Sequence, residues 1–482
     1  MWKSLGLLGG LTMGWWGLLW LVLPRLGWLN WQSVSPTAIL LAHLAPPAML
    51  SAAIRVWSHL KEARAKLAEQ QQAAAEEDER QASRDAARER HYAALRERQQ
   101  AASCRWLWAR ALPVKDAPEW TAELAAGCAW SEMDRETLER DDTLAVLRPH
   151  VVELLSDLYL DAGGATWLPL LVEPIPTLSG VEQLTAFKQW QLEAAQTALG
   201  DDAPTLDCRF LPGSGLIADR ARLALQQAPE LPGVAVLAAD APWAQAEEDD
   251  DWNPPDAAET LRRKWLGQPG MACVALLFLR DDLPPPASAS AEEDAADPYQ
   301  PYWEKDFSRG AGDWGGVPAR WQPQLAALPH LAALAQACQT ETPQDKALQL
   351  ARGLQPVMDN ALVNARLLDY PFSPEDAKPE NDQAAATAWL VHNSGEIDVG
   401  GVRLAALAGS LSRHQVDLHP IDEASNLVRE WGDVGAAFAA LQAAVAVAHC
   451  ARLQAPAVIT QFSQDHVAVA IARPFIPEEE TA

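Results

Sequence analysis

The C-terminal block Trp389–Pro474 decides the fold of this chain. Its three parts are WLVHNSGE (389–396), NLVREWGDVGAAFAALQAAVAVAHCARLQAPAVI (426–459) and QFSQDHVAVAIARP (461–474). The glycines of Gly432–Gly435 predict a tight turn, after which Asp433 can cap a helix. Ala436–His449 is almost entirely Ala and Val, and a helix that is apolar on every face is predicted to be buried.

Short apolar runs elsewhere predict strands that alternate with helices. Ala457–Gln461 and His466–Ala472 are predicted to be two adjacent strands. Further upstream the same pattern predicts strands in WLPLLVEPIP (167–176), at Cys208, at Gly233–Ala239 and at Ala272–Leu279, with helices at Val181–Leu199, Ile217–Gln227 and Leu261–Leu266. This alternation predicts a layered α/β core.

Three finer predictions concern helices. The helix Ile217–Gln227 is amphipathic, with Arg220 and Arg222 predicted to point outward. The segment GCAWSEMDRETLERDD (127–142) and most of residues 323–368 are also predicted to be helical.

The order of these elements resembles the thiolase-like, ketoacyl-synthase fold. That family has a His-Gly-Thr-Gly-Thr loop and a Gly-His-x-x-Gly-Ala-Ala-Gly helix start. His392-Asn393-Ser394-Gly395-Glu396 matches the first position, and Gly432-Asp433-Val434-Gly435-Ala436-Ala437 the second. The resemblance implies a layered α/β domain of two similar halves. It argues against the chemistry, because Gly432 stands where the second motif has its histidine.

The net charge and the cysteine spacing limit the kinds of partner and ligand that the chain is expected to bind. The chain has 482 residues, a net charge of −27 and an isoelectric point near 4.7. Such a chain lacks the positive field that neutralises phosphates, so nucleic acid is not an expected partner. None of the six cysteines forms a CxxC pair or a metal-type cluster, and reduced thiols are expected.

The first residues predict membrane insertion. Leu5–Leu23 carries no charge and is long enough to cross a bilayer, and the weaker apolar stretch Thr37–Val56 contains Pro46-Pro47. Two spans are predicted, the second kinked, although an interfacial second segment and a cleaved signal peptide are alternatives. The positions of Lys3, Arg55, Lys61, Arg64 and Lys66 place both ends in the cytoplasm. The predicted location is the inner membrane, with the large domain cytoplasmic.

The predicted organisation follows from these segments. A transmembrane hairpin (1–57) precedes a charged helical spacer (58–103), the first half of the thiolase-like domain (104–280), an acidic Pro-rich loop or linker (281–322) and the second half (323–482). The loop carries five aromatic residues that either bind a partner or pin the loop to its own domain: Tyr299, Tyr302, Trp303, Trp314 and Trp321.

Candidate catalytic groups are incomplete. A condensing enzyme needs a cysteine activated at a helix N-terminus and two proton-handling groups, and only His392 fills such a place. His414 and His419 lack the fixed spacing of a metal site, and Ser214 lacks the Gly-x-Ser-x-Gly elbow. No catalytic, cofactor-binding or metal-ligating residue is therefore predicted.

The globular part, Glu123–Pro474, resembles the adaptor family of bacterial type VI secretion systems. The resemblance rests on WLPLLVEPIP, FLPGSGLIADRA, VAVLAADAPW and WGDVGAAFAALQ. It implies a non-catalytic adaptor that binds a toxic effector such as a lipase and loads it onto the secretion spike. The loops at 281–322 and 370–384 are the predicted contact regions. A condensing enzyme with relocated catalytic residues and a structural membrane-anchored interaction protein are the alternatives.

Overall fold

The computed structural model describes residues 2–22, 25, 35–98, 102–200, 203–246, 255–286, 314–343, 346–368, 383–463 and 465–475. The chain divides into two compact units, Met1–Ala87 and Arg88–Ala482.

The first unit is a helical hairpin. Helix α1 (Trp2–Gly17) continues into a π-helical turn at Leu18–Val22, and α2 (Pro36–Arg98) follows. The α2 helix includes Pro46 and Pro47, which lack the N–H groups that would bind the carbonyls of Ala42 and His43. The indoles of Trp15 and Trp16 donate to those two carbonyls instead, at 2.8 and 3.3 Å. The α1 helix thus contacts α2 and compensates for the proline pair, and the transmembrane hairpin remains a prediction.

The α2 helix is long and apolar enough in part to cross a membrane. The predicted charged helix after the second span is confirmed, but it continues the same helix rather than forming a separate element. A second described helix, Gly435–Leu453, passes the same length and hydropathy test, but it is mostly buried inside the second unit. It is therefore a core helix. The inner membrane and the cytoplasmic side remain predictions.

The second unit is a mixed α/β structure. Its strands are β1 (Ala102–Ala111), β2 (Cys128–Glu132), β3 (Leu170–Val172), β4 (Cys208–Phe210), β5 (Gly233–Asp240), β6 (Ala272–Arg280), β7 (Ala332–Leu334), β8 (Cys338–Glu341), β9 (Trp389–His392), β10 (Ala424–Asn426), β11 (Ala457–Phe462) and β12 (His466–Arg473). Its helices are α3 (Thr143–Asp161), α4 (Gly180–Leu199), α5 (Ile217–Gln227), α6 (Pro242–Gln245), α7 (Ala257–Leu266), α8 (Gln322–Ala326), α9 (Ala347–Asn364), α10 (Ile397–Ser412), α11 (Leu427–Glu430) and α12 (Phe438–Leu453).

The strand order repeats between two halves of this unit. The first half runs β4-β3-β5-β6-β1 and the second runs β10-β9-β11-β12-β7. In each half the fourth strand of this order, β6 or β12, is antiparallel to both its neighbours. The halves meet where β1 pairs antiparallel with β7. This repeat confirms the predicted layered fold of two similar halves.

The helices form three layers around the strands. The α3 and α4 helices cover one outer face, α9 and α10 the other, and α5 and α12 share the central core. Strand β6 shows the alternation: Ala272, Val274, Leu276 and Phe278 face the central core, whereas Cys273, Ala275, Leu277 and Leu279 face α3 and α4. Every residue from Ala440 to Ala451 in α12 is buried, as predicted.

Three predictions about local structure were wrong. The 127–142 segment forms β2, because it pairs parallel with β1 and packs Trp130 against Trp120. Residues 322–341 form α8, β7 and β8 rather than continuous helix, because both strands pair with β12. Arg220 and Arg222 are buried rather than outward. Arg220 satisfies the carbonyl oxygens of Leu211 and Pro212 and pairs with Glu173.

The central helix allows a test of packing. Ala446 is fully buried in α12, so Ala446→Leu forces extra volume into the central layer. We expect the free energy of unfolding to fall by roughly 1–3 kcal/mol. The matched change Ala405→Leu, on the exposed side of α10, is expected to alter it by less than about 0.5 kcal/mol. Urea denaturation followed by tryptophan fluorescence measures both, and equal effects would contradict the layered packing.

Candidate functional site

Two cavities occupy equivalent places in the two halves. Each cavity lies at the start of a helix of the central core. Its other wall is a connection between two paired antiparallel strands, and these strands belong to the half that does not contain the helix. The α12 cavity, about 750 Å³, lies at the start of α12 beside the β5–β6 connection. The α5 cavity, about 460 Å³, lies at the start of α5 beside the β11–β12 connection. The larger cavity therefore accompanies the longer connection, which contains α6 and α7.

Asp240 lies at the inner end of the α12 cavity. Its carboxylate accepts the backbone N–H groups of Ala241 at 2.7 Å and Ala436 at 2.8 Å. It thereby caps the helical turn that leads into α12. Burial raises the pKa of Asp240, and the two N–H groups oppose that shift. Asp433, the residue predicted to cap this helix, accepts the N–H of Gly435 at 3.1 Å.

Helix α7 supplies the charged rim of the same cavity. Arg262 donates to Asp433 at 2.9 Å and to Glu259 at 2.7 Å, and Arg263 donates to Glu259 at 2.9 Å. Hydrogen bonds from the two arginines lower the pKa of Glu259 to about 2. Because the described lining residues include neither Cys, Ser nor His, this cavity offers groups for binding and no side-chain nucleophile of those types.

The α5 cavity lies at the start of a central helix, and a condensing enzyme needs its cysteine nucleophile at a helix N-terminus. Its lining includes Ser214, Ser463 and His466, and no cysteine among the described residues. Cys208 lies on β4, before the loop that leads into α5, as predicted. His466 is 3.4 Å from the carboxylate of Glu341. The start of α5 thus carries a serine without the cysteine.

The six cysteines are all described, and none forms a disulfide. Burial raises the pKa of each thiol, to about 11 for Cys338 and to about 12 for Cys208 and Cys273. A thiol rather than a thiolate is present at neutral pH, and the thiolate is the nucleophile. These environments are those of structural cysteines.

His392 lies at the end of β9 and is fully buried. Its Nε2 is 3.1 Å from the carbonyl oxygen of Pro420, and its Nδ1 accepts the N–H of Ser394 at 3.3 Å. This assigns the ring proton to Nε2, which donates to Pro420. Burial lowers the pKa of His392 to about 4, so the ring is neutral at pH 7. The lining of both cavities, as described, omits His392.

Gly432, the residue that the resemblance aligns with a histidine, lies in a turn that admits no side chain. Its φ is +74°, and a Cβ would lie 2.2 Å from the carbonyl oxygen of Gln268. Gly435 is similarly confined, since its Cβ would lie 2.1 Å from Oδ2 of Asp240. A histidine at position 432 requires the β5–β6 connection to move.

The other candidate histidines do not form a metal site with the described residues. His414 lies 2.7 Å from Oδ1 of Asp359, and His419 lies 2.9 Å from Oδ2 of Asp422. In the described part of the chain, no group of three or more His, Cys, Asp or Glu side chains has the arrangement of a metal centre.

The predicted contact loops are only partly described. Tyr299, Tyr302 and Trp303, and most of the 370–384 loop, lie outside the described residues. Trp314 is buried and donates to the carbonyl oxygen of Pro284 at 3.0 Å, and the Trp321 ring lies 6.0 Å from that of Trp167. These two residues pin the loop to its own domain.

Asp240 and Arg262 were not predicted from the sequence. The sequence does indicate Asp240 as a candidate binding residue, because it directly follows the apolar run VAVLAA. Ligands of α/β proteins bind at the carboxyl ends of strands, and a carboxylate there is a candidate contact. Arg262 had no such signal, because its partner Asp433 is far away in the chain.

Comparisons with known proteins find only remote structural similarity. Neither a family model nor a curated protein matches the chain. Solved structures similar to it include human mitochondrial 3-ketoacyl-CoA thiolase, at 10% identity and a TM-score of 0.40, with 78% of this chain and 99% of that chain covered. Another is the 3-oxoacyl-(acyl carrier protein) synthase III of Pseudomonas aeruginosa, at 14% identity and a TM-score of 0.34, with 78% and 100% covered.

A third is a ketosynthase from module 6 of the bacillaene synthase of Bacillus subtilis, at 9% identity and a TM-score of 0.39, with 78% and 72% covered. Because these TM-scores are low, the fold assignment rests on the repeated strand order and not on the matches. The second unit is a layered α/β domain of two similar halves, as the resemblance to the thiolase-like fold implied.

The confinement of Gly432 is testable. The Gly432→Ala variant would place a Cβ on a residue with positive φ and against the carbonyl oxygen of Gln268. Because both effects destabilise the folded state, we expect the free energy of unfolding to fall by at least about 2 kcal/mol. At Gly401 in α10, no atom lies within 4 Å of the place that a methyl group would take, and Gly401→Ala is expected to be neutral or stabilising by roughly 0.5–1 kcal/mol. Urea denaturation compares them; a stable Gly432→Ala protein would show that the turn accepts a side chain.

Glu430 gives a pH-dependent prediction. Burial raises the pKa of Glu430 from 4.5 to about 7. Between these values the folded protein holds a proton that the unfolded chain releases, so this contribution to stability is present at low pH and is lost as the pH rises through 7. Relative to Glu430→Gln, the wild-type protein is expected to lose about 2 kcal/mol of stability between pH 5 and pH 8.

Urea denaturation at the two pH values measures this difference. Glu136→Gln, which changes an exposed carboxylate, serves as the control and is expected to leave the pH dependence of the wild-type protein unchanged. A Glu430→Gln protein whose stability follows that of the wild type from pH 5 to pH 8 would show that Glu430 ionises normally.

Proposed function

We propose that this chain is a non-catalytic binding scaffold built on a condensing-enzyme-like fold. The proposal rests on the surroundings of Gly432 and His392, the two residues that the resemblance aligns with the proton-handling groups of condensing enzymes. Gly432 is held by a contact that leaves no room for a side chain, and His392 is neutral, buried and bonded to backbone groups. A cysteine nucleophile needs an electropositive, accessible position, whereas four of the six thiols here are buried and the other two, Cys128 and Cys338, are half-buried.

In its specific form the proposal is an adaptor. The chain binds a toxic protein effector such as a lipase and loads it onto the type VI secretion spike, while the helical hairpin holds it at the inner membrane with the large domain in the cytoplasm. The support for this form is the sequence resemblance to that adaptor family, together with α2, which has the length and hydropathy of a membrane helix. Acidic composition suits a protein that docks basic surfaces of a partner.

One observation favours the enzyme alternative. The α5 cavity brings Ser214 and His466 to the start of a central helix, which is the place that a relocated nucleophile and base would occupy. An acyl-transfer reaction on Ser214 would require His466 to take the hydroxyl proton while the serine oxygen displaces the thiolate of an acyl thioester.

An acylation assay separates the two functions. Incubation of the full chain in detergent with an acyl-CoA thioester, followed by intact-mass and peptide mass spectrometry, is expected to show no covalent adduct on any serine or cysteine. The urea-unfolded protein is the positive control for the thiols, since unfolding restores ordinary cysteine pKa values near 8.5. A stoichiometric adduct on Ser214, lost in Ser214→Ala, would contradict the scaffold proposal.

The adaptor form has its own test. The tagged chain, cross-linked and purified from its own cells, is expected to carry one effector and a spike protein in reproducible ratio. Recovery of acyl-carrier or lipid-synthesis proteins in their place would contradict it.

A further inference from the structure

Strand β2 leaves one of its edges without a partner strand. In the described part of the chain it pairs with β1 alone, in parallel register. The N–H of Leu107 donates to the carbonyl oxygen of Gly127 at 3.0 Å, and the N–H of Met133 donates to that of Ala111 at 3.0 Å. Since residues of a parallel strand alternate between facing one neighbour and the other, the odd-numbered residues of 127–133 face β1. The even-numbered residues face away from it.

The groups on the outer edge belong to Cys128, Trp130 and Glu132. The N–H of Cys128 donates to the carbonyl oxygen of Ala125 at 3.0 Å and closes the turn before the strand. The carbonyl group of Cys128, and both the N–H and the carbonyl groups of Trp130 and Glu132, have no hydrogen-bond partner among the described residues. Five backbone groups are therefore presented in a row, and such a row is a template for another extended segment.

The edge is preformed and accessible. The ring of Trp130 lies 4.9 Å from that of Trp120 and 5.2 Å from that of Trp431, and it packs against the central core. The β1 ladder and these rings hold β2 in its extended form, so a partner strand loses less free energy to ordering on binding. Ser131 is half-buried and Glu132 is exposed, which leaves this side of the strand open to solvent.

The chain around β2 is acidic. Residues 119–136 contain five acidic residues and one basic residue, Arg135, which gives a net charge of −4. Within the described residues Glu123 alone of the five forms an ion pair, 3.6 Å from Arg452. The other four carboxylates keep an uncompensated negative charge near the edge. All five acidic side chains are exposed: Glu119, Glu123, Glu132, Asp134 and Glu136.

We propose that the free edge of β2 binds an extended, basic peptide segment of a protein client, which joins the sheet as a strand beside β2. Main-chain hydrogen bonds to the edge supply affinity, and lysine or arginine side chains of the segment meet the surrounding carboxylates. A second copy of β2 would bring the same negative charge, and the chain's own C-terminal end has glutamates at 478–480, so both are disfavoured occupants. The inference rests on the binding role proposed above and specifies the part of the client that this edge recognises.

A synthetic peptide tests the edge directly. A fluorescein-labelled peptide of alternating Lys and Val, about eight residues long, is expected to bind the full chain in detergent, with an affinity that falls as salt rises. The same peptide N-methylated at every residue keeps its charge but loses its N–H donors, so it is expected to bind at least about tenfold more weakly. Fluorescence anisotropy measures both. Equal affinities, or no binding of the unmethylated peptide, would overturn the proposal.

A proline variant blocks the edge without touching the β1 ladder. Because the N–H of Glu132 points outward, Glu132→Pro removes an unpaired donor and places a ring on the edge. Ser131 is already in the extended conformation that a following proline requires. Glu132→Gln, which keeps the N–H, is the matched control. We expect Glu132→Pro to weaken binding of the Lys-Val peptide at least about tenfold and Glu132→Gln to weaken it about threefold or less, with unchanged far-ultraviolet circular dichroism in both.

Recovery of a client separates this inference from the adaptor proposal. An effector that co-purifies with the wild type and is lost from Glu132→Pro would support the edge. Equal recovery with both chains would overturn the edge and leave the adaptor proposal standing, whereas an absence of effector from both would contradict the adaptor proposal alone, since the peptide result stands by itself. Self-association of the wild type that Glu132→Pro abolishes would assign the edge to a second copy and overturn the proposal.

Discussion

The close packing of α12 between the two halves of the sheet is the constraint on which the rest of the second unit depends. An unbroken run of buried residues, Ala440–Ala451, leaves this helix no solvent face. Its small side chains allow the two halves to approach it closely, and large residues would separate them. Since α5 shares the same core, the two halves become one hydrophobic body rather than two adjacent domains.

The same packing determines which residues the turn before α12 can contain. The turn that leads into α12 must pass close to the β5–β6 connection, and Pro269 forms a bridge with Asp433 there. Gly432 and Gly435 are the residues that this approach requires. Asp240 then uses its carboxylate as a helix cap. The position that the resemblance aligns with a histidine of condensing enzymes thus belongs here to the turn, and the cavity beside it is lined with paired charges.

Much of the fold could be predicted from the sequence, because the decisive segments are short, strongly apolar and bounded by turns. The helix Ile217–Gln227 and the strand pair β11 and β12 were located to within a residue or two. The outward orientation of Arg220 and Arg222 was wrong, since α5 is covered on both sides and a helical pattern does not show a second covering layer. β7 was missed because its Ala-rich sequence fits helix equally well, and only pairing with β1 and β12 selects the strand. The site was less predictable, because Arg262 meets Asp433 only through tertiary structure.

We propose that the second unit binds a protein client and performs no acyl chemistry. The most direct measurement compares cells that contain the chain with cells that lack it, by quantitative mass spectrometry of the exported proteins and of the membrane lipids. We expect removal of the chain to abolish export of one effector and to leave the lipid and acyl-chain profile unchanged. A changed lipid profile with intact export of every effector would contradict this claim.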